Sequence, residues 1–246
     1  MKVSNKFYES AKSAFYLVSV LWIVHLLQYF TSMDLGFLGI HPRQVWGLKG
    51  ILTAPLVHAD WQHLISNSIP IFVLTTIIFF FYSRVALRSY LMIYLLTGVM
   101  VWLFARKVFH IGASGVVYGL VSFIFWNGIF RRSLQSIVLA LIITFVYSGY
   151  FAGILPNQEG ISWESHLLGG LVGIFVAYYF KEEIELEEKL QPHSWEVEPE
   201  KGTVPFLARD VFEKTKAERL KEQEEEEAKK MNPDWYSSST LDGPHE

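Results

Sequence analysis

Ser114 sits in the stretch Gly112-Ala113-Ser114-Gly115-Val116-Val117-Tyr118-Gly119, a hydroxyl flanked by glycines at the head of an apolar run. An unpaired polar group in hydrocarbon costs several kcal/mol, so a serine there calls for a partner or a task. Beside a base, the task is nucleophilic attack. His166, near the start of another apolar run, is the candidate base, since a neutral imidazole can take the serine proton. His63 and Asn67 lie one turn apart on a third run and are suitable donors to an oxyanion, together with the Ser114 backbone N–H. Tyr118 lies one turn below Ser114, where its ring can stack on His166 and hold it. Asp60, Glu159 and Glu164 fall in loops or at run ends, so a Ser–His dyad without a carboxylate is expected.

Each residue alone has a plainer explanation. Gly-x-Ser-Gly in an apolar helix is common packing chemistry, a lone histidine can be structural, Asn67 can be interhelical glue, and Tyr118 can be core. His58 reads as a structural loop residue. A zinc site from His58, His63 and His166 lacks a carboxylate partner and the HExxH spacing. The Gly-x-Ser-x-Gly elbow of soluble hydrolases is also missing, because the second glycine follows Ser114 directly. The joint pattern carries the argument: all four polar residues are expected at one depth on three helices that run the same way.

Those helices are read from hydropathy. About half of the 246 residues are hydrophobic, which indicates an integral membrane protein. Six apolar runs approach the roughly 20 residues that cross a bilayer: residues 14–33, 61–82, 89–105, 114–130, 134–155 and 163–180. The fold class expected is all-α, a polytopic membrane protein with six transmembrane helices. Lys2, Lys6, Lys12, Arg84, Arg88, Arg131, Arg132 and Lys181 fall on one side, which the positive-inside rule makes cytoplasmic, with both termini there. Arg43, Lys49, Arg106 and Lys107 fall on the other. The 17 residues from Ser114 to Phe130 span about 25 Å, so Ser114 is expected just below the outer surface. The segment containing Val108, Phe109, His110 and Gly112 then dips inward, which is tolerable beside a polar cavity.

Close approach of serine and histidine needs small residues. Gly115 and Gly119 are four apart on one helix, while His166, Gly170, Gly173 and Ala177 form a stripe on the other, with Gly169 beside it. Such faces let transmembrane helices pack closely. Three regions are expected: a cytoplasmic N-terminus over 1–13, a membrane domain over 14–180 and an acidic cytoplasmic tail over 181–246. Residues 1–180 carry 11 Lys+Arg and 5 Asp+Glu, whereas residues 181–246 carry 10 and 19. In that tail, 181–190 is read as an extension of the last helix. Pro192, Pro199 and Pro205 mark a connector, and 208–230 is read as a solvated helix. The connection from Asp34 to Asp60 is half apolar and is expected to lie in the outer interface. With no cysteine, thiol chemistry is excluded.

The chain resembles the rhomboid family of intramembrane serine proteases. The resemblance lies in His58-Ala-Asp-Trp-Gln-His63-Leu-Ile-Ser-Asn67, in Gly112-Ala-Ser114-Gly115-Val-Val-Tyr118-Gly119 and in Ser165-His166-Leu-Leu-Gly169-Gly170-Leu-Val-Gly173. It implies the six-helix rhomboid fold, with Ser114 as nucleophile, His166 as base, His63 and Asn67 at the oxyanion, and Tyr118 packed on the histidine. It further implies hydrolysis of peptide bonds in membrane-anchored substrates, often beside small side chains, with no metal or organic cofactor and no nucleic acid. The expected partners are transmembrane protein substrates and the lipid bilayer, in a bacterial plasma membrane. The oligomeric state is not read. The Trp-Arg pair of some relatives is not found in the first loop. Two other readings compete. One is a catalytically silent relative that binds or escorts transmembrane clients, against which the retained serine and histidine argue. The other is a channel or transporter, which would need inverted repeats and mid-span charges.

Overall fold

The helix that begins at Ser114 buries ten of its 18 residues. The computed structural model describes residues 3–156, 162–183 and 214–231, in two units, Met1–Leu190 and Gln191–Glu246. The first unit contains α1 (Val3–Thr31), the short α2 (Gly50–Thr53), α3 (Trp61–Phe81), α4 (Ala86–Phe104), α5 (Ser114–Arg131), α6 (Leu134–Val146) and α7 (Trp163–Tyr179). Apart from an isolated bridge between Ile40 and His110, no strand occurs among the described residues. The protein is an all-α polytopic membrane protein. α1, α3 and α4 are long and apolar enough to cross a bilayer on length and composition alone, and α6 with the bent segment after it makes a fourth. α5 and α7 are shorter, at 18 and 17 residues, and richer in glycine and polar groups because they face each other.

Val117, Leu120, Phe123 and Ile124 of α5 are fully buried, packed with Leu64, Leu74 and Ile78 of α3, Ile93 of α4, Ile143 of α6 and Val176 of α7. A helix whose apolar side chains meet neighbours from four other helices belongs inside a bundle. Peripheral helices instead present apolar faces outward, such as Phe15, Ile23 and Leu27 of α1. The N-terminal ends of α3, α5 and α7 meet at one end of the bundle. At the other end the Arg88 guanidinium donates to both carboxylate oxygens of Glu183, at 3.1 and 3.0 Å, and stands over the Phe180 ring. The guanidinium holds the Glu183 carboxyl below its ordinary pKa.

Two expected boundaries change. α1 starts at Val3 rather than at residue 14, because no breaker interrupts the polar first turns and Glu9 pairs with Lys12 one turn on. The expected region 1–13 is therefore largely part of that helix. The fifth run is not one continuous helix over 134–155: α6 ends at Val146, and a 3₁₀ segment, Ser148–Ile154, departs at 62°. Gly149 and Gly153 favour the break, and the segment's carbonyls are used elsewhere, as described below.

The connection after α1 is built from short turns, Gly36–Leu38, Val45–Lys49, α2 and Ala54–Leu56. It is tied to the bundle by main-chain bonds from Ile40 to His110, from Arg43 to Trp102 and from Gly112 to Ala54, while Phe37, Val45, Trp46 and Leu52 remain exposed. In the second unit α8 covers Lys216–Met231, overlapping the expected 208–230 helix and ending one residue past it. In the first unit α7 stops at Tyr179 rather than running on from Lys181. The rest of the expected extension, the proline connector and Glu159 lie outside the described residues.

Candidate active site

Asp60 starts α3 by accepting from the His63 backbone N–H at 2.8 Å, and Ser162 starts α7 by accepting from the Ser165 N–H. α5 differs. Its N-cap is Ala113, which offers no side-chain acceptor, so the first N–H groups of the helix have no capping partner. Ser114 stands at that bare helix start, where backbone N–H groups favour negative charge.

α5 and α7 share the most extensive helix–helix contact in the bundle. A Cβ placed on Gly169 would strike the Gly115 carbonyl, and one on Gly173 would strike the Gly119 carbonyl. A Cβ on Gly115 would meet the Ser165 carbonyl at 3.0 Å, and one on Gly119 would strike Ile93 of α4. Gly170 is a correction. A Cβ there meets nothing within 4 Å, because the contact stripe runs through His166, Gly169 and Gly173, and Gly170 points away from α5.

With backbones this close, His166 Nε2 lies 2.8 Å from Ser114 Oγ. The other ring nitrogen, Nδ1, is 2.8 Å from the Gly153 carbonyl oxygen. A carbonyl only accepts, so Nδ1 carries the proton and the Nε2 lone pair faces the serine hydroxyl. The 3₁₀ segment after α6 thus fills the place that a carboxylate holds in a triad. Both ring nitrogens are taken, so no carboxylate shares the imidazole. The Tyr118 ring stacks on His166 with centroids 4.1 Å apart and planes 11° from parallel, and its hydroxyl donates to the Tyr150 carbonyl at 2.6 Å. His166 and Tyr118 are each 7% exposed, so the pair is shielded.

His63 faces the loop before Ser114. Gly112 has φ +94°, a left-handed conformation that favours glycine, and a Cβ there would sit 2.5 Å from His63 Nε2. The missing side chain is therefore required twice, once by the backbone and once by the ring. Asn67 is buried and donates from Nδ2 to the His63 carbonyl at 2.9 Å, leaving one amide hydrogen. His58 packs edge-on against His63, with centroids 5.0 Å apart. Burial pushes its imidazole down to about 4, and the neighbouring His63 adds to the shift. Among the described residues no three His, Cys, Asp or Glu side chains converge as a metal-ligand set.

Sequence reasoning missed three participants. The Gly153 and Tyr150 carbonyls carry no side-chain signal. His110 appeared only as part of an inward-dipping loop, yet its ring bonds Ser162 at the start of α7.

A bundle of apolar helices with a hydroxyl and an imidazole in contact inside it defines a class: a polytopic membrane protein with a shielded polar centre. The chain belongs to the rhomboid family, for the Rhomboid domain matches residues 42–183. An uncharacterized protein of Mycobacterium bovis is 34% identical over 174 residues, covering 65% of this chain and 71% of that protein. One from Mycobacterium tuberculosis matches to the same extent. One from Mycobacterium leprae is 31% identical over 174 residues, or 65% of this chain and 67% of its own length.

Proposed function

We propose that the chain is an intramembrane serine endopeptidase that cleaves membrane-anchored substrates with Ser114 and His166. The observation that carries this reading is the 2.8 Å contact between Ser114 Oγ and His166 Nε2, with the opposite nitrogen committed to a carbonyl. His166 takes the hydroxyl proton as Oγ attacks the scissile carbonyl carbon. The oxyanion that forms meets the Ser114 N–H, the His63 ring and the free Asn67 amide hydrogen. The imidazolium then returns its proton to the leaving amine, and the acyl group stays on Ser114. Water, deprotonated by the same imidazole, hydrolyses the ester and restores the serine.

The substrates proposed are single-span proteins, cut near small side chains. The site lies just beneath the outer face of a bacterial plasma membrane, with both termini in the cytoplasm. The distribution of Lys and Arg supports that orientation.

The test is cleavage of a panel of single-span proteins by the purified full chain. Ser114→Ala is expected to abolish cleavage while leaving thermal unfolding unchanged. A fluorophosphonate is expected to label Ser114 and no other residue. Cleavage that persists in Ser114→Ala removes Ser114 from the mechanism. A folded wild-type chain that neither cleaves nor labels favours a silent, client-binding role.

A further inference from the structure

We infer that His110, which no step of the reaction uses, is a positioning residue that clamps the start of α5 to the start of α7 and so sets the Ser114–His166 distance. This rests on the peptidase reading above. His110 stands four residues before Ser114, and Ser162 four residues before His166. Between His110 and Ser162 lies a hydrogen-bond chain whose direction is fixed. His110 Nε2 is 3.0 Å from the Arg106 carbonyl, which only accepts, so Nε2 carries the proton. Nδ1, 2.6 Å from Ser162 Oγ, therefore accepts the Ser162 hydroxyl proton. With that proton committed, the 2.6 Å contact between Ser162 and Ser165 is donated by the Ser165 hydroxyl. Ser162 Oγ also caps α7 by accepting from the Ser165 N–H at 3.4 Å.

A second link runs alongside. Arg106 Nε lies 3.1 Å from Glu164 Oε1, joining the same loop to the same first turn of α7. The main chain of His110 is itself held by two 2.9 Å bonds exchanged with Ile40, and its ring is 4% exposed. The glycine contacts fix how close α5 and α7 lie. They leave free the sliding of one helix along the other, and sliding moves His166 past Ser114. The His110–Ser162 and Arg106–Glu164 links oppose that displacement. An ordinary buried histidine would need only satisfied nitrogens; this one spends a nitrogen on the cap of the helix that carries the base.

The experiment uses the full chain in proteoliposomes, with kcat and KM for a single-span substrate, fluorophosphonate labelling and thermal unfolding. His110→Ala and Ser162→Ala are each expected to lower kcat by roughly tenfold to a hundredfold, the range set by small misplacements, with KM little changed. His110→Gln keeps one acceptor and one donor, and is expected to recover most of the lost kcat. If His110→Ala does not fold, Ser162→Ala, which removes a single hydroxyl, decides. Unchanged kcat in folded Ser162→Ala overturns the clamp while leaving the peptidase reading intact. So does a loss of activity that follows the loss of unfolding temperature and that glutamine does not restore. A wild-type chain that neither cleaves nor labels overturns the peptidase reading, and the clamp with it.

Discussion

The imidazole of His166 lies flat on the ring of Tyr118, 4.1 Å between centroids, and Tyr118 in turn holds the Tyr150 carbonyl through its hydroxyl. One side chain thereby fixes both the tilt of the imidazole and the position of the segment that bonds it. Tyr118→Phe keeps the ring and loses one hydrogen bond. Tyr118→Ala loses the stack, worth about 0.5–1.5 kcal/mol, and frees the imidazole to rotate. Cleavage by Tyr118→Phe is expected within about fivefold of wild type, and Tyr118→Ala about a hundredfold slower, as a misplaced catalytic group predicts. Equal rates in the two variants would show that the stack does not matter.

Gly153 supplies a carbonyl to His166 Nδ1, and a Cβ there would strike the Tyr118 hydroxyl and lie 3.1 Å from Nδ1. Gly149, in the same 3₁₀ segment, has nothing within 4 Å of its Cβ position. Gly153→Ala is expected to slow fluorophosphonate labelling of Ser114 by roughly tenfold or more, since the carbonyl that sets the tautomer must shift. Gly149→Ala is expected to label at the wild-type rate. Matching rates for both would remove the carbonyl from the site.

The two glycines on successive positions of α7 separate packing from composition. Gly169→Ala forces a methyl into the Gly115 carbonyl and is expected to destabilise by about 1–3 kcal/mol, the usual cost of overpacking. Gly170→Ala meets open space and is expected to be neutral, or to stabilise by up to about 1 kcal/mol through helix propensity. Unfolding in mild detergent measures both. A destabilised Gly170→Ala with a tolerated Gly169→Ala would invert the assigned contact face.

His58 makes stability depend on pH. Its pKa is about 4 when folded and 6.5 in the unfolded chain, so the unfolded chain binds more protons between those values. Stability therefore falls as pH drops from about 6.5 towards 4, by on the order of 3 kcal/mol across the window, and is unaffected by this group above it. Unfolding temperature measured from pH 7.5 to 4.5 checks the sign. A profile that is flat over that range would mean His58 is not buried as a neutral ring.

The candidate site was largely legible because its polar side chains are out of place in lipid. Ser114, His63, Asn67 and His166 each announce themselves against apolar neighbours, and hydropathy puts them at one depth. The supports were not legible. The orienting partner of His166 is a backbone carbonyl, which every residue has, and its location depends on α6 breaking at Tyr147, where local apolarity favoured continuing to Leu155. Gly170 fits the sequence stripe because spacings of three and four are both allowed on a helix, and only the crossing geometry chooses between them. The first helix begins earlier than its hydrophobic run, since hydropathy marks where lipid begins and hydrogen bonding marks where the helix does.

Gly115 against Gly169 and Gly119 against Gly173 bring main chain to main chain. The gap between the Ser114 hydroxyl and the His166 imidazole is therefore written in atoms that every amino acid shares. Outward-facing side chains of these helices, such as Leu171 and Phe175 of α7, take no part in setting it.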